Sequence, residues 1–389
     1  MINLDKLVEI GFTLPRATDI SIFFRNVGYL TTNTSCVKSG VDIPTNKVLI
    51  IDGMDSLNDT LKSDSQEYMD IATIFAQNGN VNPNKGRVNA VVLYLSTLSS
   101  GETWGDLVTE FVSVNANWSQ LIVNTTTDAN VQLVATNAKL NKRLFIGQVT
   151  SDNVANAVSV NIAIHLKALD NDNTMIVYHT TANENLAAGL VGIMANPNLG
   201  AVGSLYSTVS NVTPEDYTST VNTNLDNQNV TYYTNVNAIN GGGVTQYASP
   251  IVMGGYMING EDAKRRYIRF YLDFLMKARC IDFLKKKLTY EDVSADVLLS
   301  MLKAVLKAGQ TNGLIKQNSI ITSGDNTYEN LGYEIRTIYP SELREVDETL
   351  YNTQTYRVVG YYRDALTGRK VEINLFVDPS DAEKSQLGF

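Results

Sequence analysis

The chain has 389 residues, a formal charge of −9 and a hydrophobic fraction of 44%, enough apolar material for a large core. That length suggests two or three domains, or one domain with long insertions. No run of about 18 apolar residues occurs, so no membrane-spanning helix is expected. The opening MINLDKLVEIGF mixes acid and base and is not expected to act as a secretory signal. Cys36 and Cys280 make no disulfide framework, which fits a reducing site of synthesis.

In chain order, LVEIGFTL (Leu7 to Leu14) alternates loosely and stops at Pro15, the pattern of a strand lying ahead of any domain as an arm. ISIFFRNVGYLTT and KVLIIDG are further strand candidates, the second closed by an Asp52-Gly53 turn. The period then changes. SDSQEYMDIATIFAQNG places Tyr68, Ile71, Ala72 and Phe75 on one helical face and ends at Gly79. From there strand and helix alternate. RVNAVVLYLS, SQLIVNT, KRLFIGQVT and TMIVYHT have the apolar runs of buried parallel strands. TWGDLVTEFVSVNA, DANVQLVATNAKLN, NIAIHLKALDN and NENLAAGLVGIMAN follow them as helices. The repetition predicts an α/β fold, an open and mostly parallel sheet with flanking helices.

After Pro197 the texture shifts. TPEDYTSTVNTNLDNQN offers Thr213 as a cap, Pro214 at the first helical position and two acids in the first turn, so a helix is expected from there. VTYYTNV reads as a strand and INGGGVTQYASPIVMGG as a glycine-rich loop or hairpin. A basic helix follows, then YEDVSADVLLSMLKAVLKAG, a helix ended by Gly309, and then GLIKQNSIITSG. The closing YRVVGYYRDALTGRKVEINLFVD predicts a hairpin that turns at Thr367-Gly368, with Val371, Ile373, Leu375 and Val377 alternating along its second strand.

Catalytic chemistry is hard to assemble from these residues. The chain has two histidines, His165 on an apolar helix pattern and His179 at the end of an apolar strand, and a structural role suits each. No Cys-X-X-Cys, His-Glu-X-X-His, Walker-type loop or Gly-X-Ser-X-Gly elbow occurs. GAVGSL and NGGGV are glycine-rich but do not follow a strand in the dinucleotide-binding pattern. No catalytic residue, metal ligand or cofactor is therefore expected. An α/β nucleotide-binding protein or enzyme stands as the alternative reading, on fold class alone.

Charge is strongly partitioned. Between Glu261 and Lys287 nine bases face four acids, a local charge of +5 that leaves −14 on the rest of the chain. At 100° per residue, Arg265, Arg266, Arg269, Lys277 and Lys287 share one face with Asp262 and Asp273, while Tyr267, Phe270, Tyr271, Phe274 and Ile281 share another. The bland reading is a solvated face with i,i+4 pairs: Asp262 with Arg266, Arg269 with Asp273, Asp273 with Lys277. Among sharper readings, nucleic acid is disfavoured by the acidity elsewhere, and a membrane surface by the aromatic bulk of the apolar face. An acidic protein partner fits a one-sided basic stripe best.

The succession of segments resembles the contractile tail sheath family, the sheaths of myophage tails and of related contractile injection systems. The likeness covers nearly the full length and lies in order and short motifs: the arm before FFRNVGYLT, SDSQEYMDIATIFAQN, VNANWSQLIVNT, PNLGAVGSLYSTVSNVTPEDYT, and GGVTQYASPIVMGGYMINGEDAKRRYIRFYLDFL. Asp273-Phe274-Leu275 stands where Asp-Trp-Leu is usual in that family. The resemblance implies a strand-exchange arm over residues 1–16, an α/β domain over 17–200, a C-terminal α+β sheath core over 201–355 and a C-terminal hairpin and arm over 356–389. It implies a structural subunit, made in a bacterial cytoplasm, that stacks as hexameric rings around a tail tube and contracts to drive the tube through an envelope. Its implied partners are further sheath subunits, joined by strand addition through Leu7, Val8, Ile10, Phe12, Val371, Ile373, Leu375 and Val377. The others are the tail tube, faced by Arg265, Arg266, Arg269 and Lys277, and the baseplate and tail terminator.

Overall fold

The computed structural model describes residues 20–77, 86–195, 203–239, 245–323 and 326–365. Eight strands form one sheet: β1 (Asn26–Thr31), β2 (Val48–Ile51), β3 (Ala90–Leu95), β4 (Gln120–Val123), β5 (Leu144–Val149), β6 (Thr174–Tyr178), β7 (Thr231–Ile239) and β8 (Thr245–Met253). Their order is β2-β3-β1-β4-β5-β6-β7-β8. Pairing is parallel from β3 across to β7 and antiparallel at the two ends, β2 on β3 and β7 on β8. Every residue of β1, β3, β4, β5 and β6 is buried. This is why these strands read as unbroken apolar runs, since a sheet covered on both faces has no polar side to alternate with.

Two helical layers do the covering. On one face lie α1 (Ile20–Arg25), α2 (Met54–Thr60), α3 (Gln66–Ala76), α8 (Leu186–Met194) and α10 (Ala263–Leu284). On the other lie α4 (Trp104–Val114), α5 (Asp128–Leu140), α6 (Asp152–Ala155), α7 (Ile162–Ala168) and α9 (Ser219–Asn227). The starts of the helices are chemically specified. Ser65 accepts from the Tyr68 N–H at α3, and Thr103 with Asp106 closes a capping box at α4. α8 is buried all round, as an apolar helix without a polar stripe must be. It approaches α3 so closely that a Cβ at Gly192 would lie 2.5 Å from the Ile74 carbonyl oxygen.

A smaller assembly follows the sheet. α11 (Asp292–Thr311) packs on α10; β9 (Ser319–Ser323) pairs with β10 (Asn326–Asn330); β11 (Tyr333–Ile338) is followed by α12 (Pro340–Val346) and α13 (Glu348–Asn352) and pairs with β12 (Arg357–Tyr362). Phe283, Leu298 and Leu302 make its own small core, with Tyr356 and Val358 against it.

Four local expectations are corrected. Ile20–Arg25 is helical and the strand begins only at Asn26, because Phe23 and Phe24 turn onto the aromatic face of α10, Phe23 stacking on Phe274 at 4.8 Å between ring centroids. Asp52-Gly53 is no hairpin turn; Gly53 caps α2. The helix expected from Thr213 starts at Ser219 behind a Thr218 cap, since Glu215 is engaged by Thr180, Thr181 and Tyr217. α11 runs past Gly309 to Thr311. That glycine makes room, because a Cβ there would sit 3.0 Å from Ile315 Cδ1. Of the closing hairpin, the first strand is β12, paired with β11. The turn at Thr367-Gly368 and the strand residues Val371, Ile373, Leu375 and Val377 lie outside the described residues, as do Leu7, Val8, Ile10 and Phe12 of the arm.

Candidate functional site

The basic helix α10 is placed by its aromatic face. Tyr267, Ile268, Phe270, Leu272 and Phe274 are buried, and Phe24 meets Tyr267, Phe270, Tyr271 and Phe274 at ring separations of 4.8–5.7 Å. Asp262 caps the helix by accepting from the Arg265 N–H. With that face docked on the sheet, the opposite one carries the charge.

The open basic face expected of Arg265, Arg266, Arg269 and Lys277 narrows to two residues. Arg265 and Arg269 are each 45% exposed, the first 3.1 Å from Asp364 and the second 2.5 Å from Glu261. Arg266 is 12% exposed; it donates to Asn173 and lies 3.4 Å from Asp172. Lys277 is 1% exposed. The physical reason is the width of the packed face: α10 packs its aromatic residues into the core and also meets α11, and Asp172 and Asn173 ahead of β6 engage Arg266, so a line of like charges drawn on a wheel is cut by packing. Asp273 is pushed up from the usual carboxylate range by burial, while Arg266, Arg269 and Lys277 pull it down. Those three bases thus surround the acid expected to offset them. Arg266 and Arg269, however, make their closest ion pairs with Asp172 and Glu261, acids other than the expected Asp262 and Asp273.

Lys285, Lys286 and Lys287, counted in the basic segment but left out of the residues expected to face a tube, are among its open charges. All three are exposed at the end of α10 and form no ion pair among the described residues. The signal was the Lys-Lys-Lys run itself, placed where a helix C-terminus favours positive charge.

The histidines part company. His165 is exposed and lies 3.1 Å from Gln132 Nε2. His179 is fully buried between Glu184 and Glu215. A polar cleft of about 450 Å³ opens near the carboxyl ends of β4, β5 and β6, lined by Asp70, Gln148, Glu184, Asn185 and the threonines of the loops after those strands. No group of three or more His, Cys, Asp or Glu among the described residues is arranged to hold a metal ion. No described helix is long and apolar enough to cross a membrane.

No family model matches the sequence, and no curated protein does. The three-dimensional arrangement does find similar folds. A chain in the cryo-EM structure of the anti-feeding prophage (AFP) baseplate, 6-fold symmetrised, aligns with a TM-score of 0.58 and 9% identity over 95% of this chain and 98% of that one. A chain of the AFP helical sheath in its contracted state aligns with a TM-score of 0.56 and 10% identity over 95% and 99%. This is a sheath-like fold. The match takes in nearly all of both chains, so the likeness extends over the sheet, the basic helix and the smaller assembly rather than a common α/β half. At this identity the likeness is one of fold, and the residues on α10 carry their argument on their own geometry.

Proposed function

We propose that the chain is a structural subunit of a contractile injection apparatus. It polymerises as stacked rings around a tail tube and contracts to drive that tube through an envelope. The near end-to-end likeness to chains of the AFP baseplate and contracted sheath carries this reading. The terminal segments around Leu7–Phe12 and Val371–Val377 would add strands to neighbouring subunits, with baseplate and terminator proteins closing the ends. Arg265 and Arg269, with Lys285, Lys286 and Lys287 at the end of the same helix, would face an acidic tube. Exposed ion pairs of this kind are worth about 0–1 kcal/mol each. Repeated on every subunit, such contacts set register and still release together.

Electron microscopy of the purified chain, alone and with tube protein, tests the reading. Tubes of stacked rings are expected. A discrete small oligomer under every condition would overturn it and return the α/β nucleotide-binding alternative.

A further inference from the structure

Residues 203–218 form a strap without helix or strand that is anchored in two different ways. Its first half is seated by apolar burial and backbone pairing. Val209 and Val212 are buried, the Tyr206 N–H donates to the Val252 carbonyl, and the Val252 N–H donates to the Ser207 carbonyl. Its second half is held by carboxylates. Glu184 accepts from the Thr213 N–H at 2.6 Å and the Thr213 hydroxyl at 2.7 Å. One oxygen of Glu215 accepts from the backbone N–H groups of Thr180 and Thr181 at 2.8 and 2.6 Å, and from both hydroxyls. Tyr217 donates to the other oxygen.

His179 lies between these two acids with no exposed surface. Nε2 is 3.1 Å from Glu184 Oε2 and Nδ1 is 3.4 Å from Glu215 Oε1. Nε2 is thus within hydrogen-bond distance of Glu184, while Nδ1 lies at ion-pair distance from Glu215 without a hydrogen bond. A neutral imidazole that donates to Glu184 sets the Nδ1 lone pair near the Glu215 carboxylate; the imidazolium sets positive charge there instead. The groups around the ring are acids throughout: Glu184 ahead of α8, Glu215 and Tyr217 on the strap, and Tyr178 on β6, with Asp152 of α6 acting on Tyr178.

We propose that protonated His179 is an ionic clasp that holds residues 213–217 against β7 just beyond its pairing with β6, and that loss of its proton loosens this half of the strap while Val209 and Val212 keep the other half seated. What lies beneath gives the clasp a consequence. β7 pairs with β6 only at Thr231 and Tyr232. Just beyond, the Tyr233 carbonyl takes the Glu215 N–H, and Asn235 donates to Asp216 at 3.2 Å. A loosened strap frees the Tyr233 carbonyl and the Asn235 amide from these contacts.

The test is a titration of the full chain from about pH 5 to about pH 8, the range in which histidines change charge. It follows the ring nitrogens of His179 by NMR, with exposed His165 as the internal reference. Hydrogen exchange at the amides of Thr180, Thr181, Thr213 and Glu215 is read in parallel and corrected for the intrinsic rate. Protection at these four is expected to fall about ten-fold or more as His179 deprotonates, the size of one charge-assisted hydrogen bond. Protection at Tyr206 and Val252 should hold. In His179→Gln the four amides should lose their pH dependence. If that variant does not fold, the wild-type titration decides alone. The proposal is overturned if the His179 ring is neutral throughout the range, or if the four amides keep their protection across its titration. It is equally overturned if His179→Gln shows the wild-type pH dependence.

Discussion

Two clusters of carboxylates, one buried and one half-buried, sit at the carboxyl ends of the parallel strands, and they behave oppositely. At β1 and β4, Glu67 accepts from Thr31, Asn33 and Asn124, and Asp70 accepts from Tyr29, Gln66 and Asn185. All these donors are neutral side chains. Burial wins there and pushes the Asp70 carboxyl up to about 6. At β6, burial also pushes Glu184 and Glu215 upward, but hydrogen bonds from Thr213, Thr180, Thr181 and Tyr217, together with the charge of His179, outweigh it and leave both below the usual carboxylate range. Burial alone does not fix the sign of a shift; the number and charge of the donors do.

The strongest way to break this comparison is Glu215→Ala. It strands His179 and removes the acceptor for Thr180, Thr181 and Tyr217, so urea unfolding at neutral pH should show a loss of about 3–5 kcal/mol. Glu215 is depressed in the folded state. Its contribution is therefore present above the unfolded value near 4.5 and fades as the pH falls through the folded value, where variant and wild type should converge. A loss under about 1 kcal/mol at neutral pH would mean that the donors do not hold this acid in its charged form.

Asp70→Asn should act in the opposite direction. The folded group titrates near 6 against 3.8 in the reference state. The charged form thus costs stability that grows as the pH rises between those values and is constant above. The variant should be more stable than wild type by up to about 3 kcal/mol at pH about 8 and indistinguishable at pH about 4. Denaturation curves at the two pH values check this, and a variant less stable than wild type at the higher pH would show that the neutral donors already compensate the charge.

The smallest effect on folding belongs to the exposed ion pairs. Arg265→Glu with Arg269→Glu should change unfolding free energy by about 1 kcal/mol or less and leave self-assembly intact, while abolishing the coating of purified tubes. Raised salt should weaken the wild-type contact in the same assay. Coating by the double variant at the wild-type level would remove α10 from the tube interface.

The parallel strands were legible because a doubly covered sheet demands uninterrupted apolar runs, and their helices because the apolar period changes with them. The basic helix was equally legible from its aromatic stripe, although how much of its charge stays open was not. Two of the local failures had one cause. Ile20–Arg25 has the β-branched and aromatic composition of a strand, yet it is helical against α10. Thr213-Pro214-Glu215 has the chemistry of a helix start, yet Glu215 serves residues more than thirty positions earlier. In both places a long-range contact outweighed a short-range preference worth about 1 kcal/mol or less per residue.

The sequence by itself determined the α/β class, the alternation of elements and the gathering of positive charge on one segment, because hydrophobic periodicity and net charge are properties of neighbours along the chain. Only the tertiary structure decided that Lys277 is buried and Arg265 is not, that β7 and β8 extend the sheet, and that His179 meets two carboxylates. Glu215 reaches that histidine from 36 residues away. No periodicity records such a meeting. It is set by where the strap crosses the end of β6, and the energy of two charges depends on the distance between them in space.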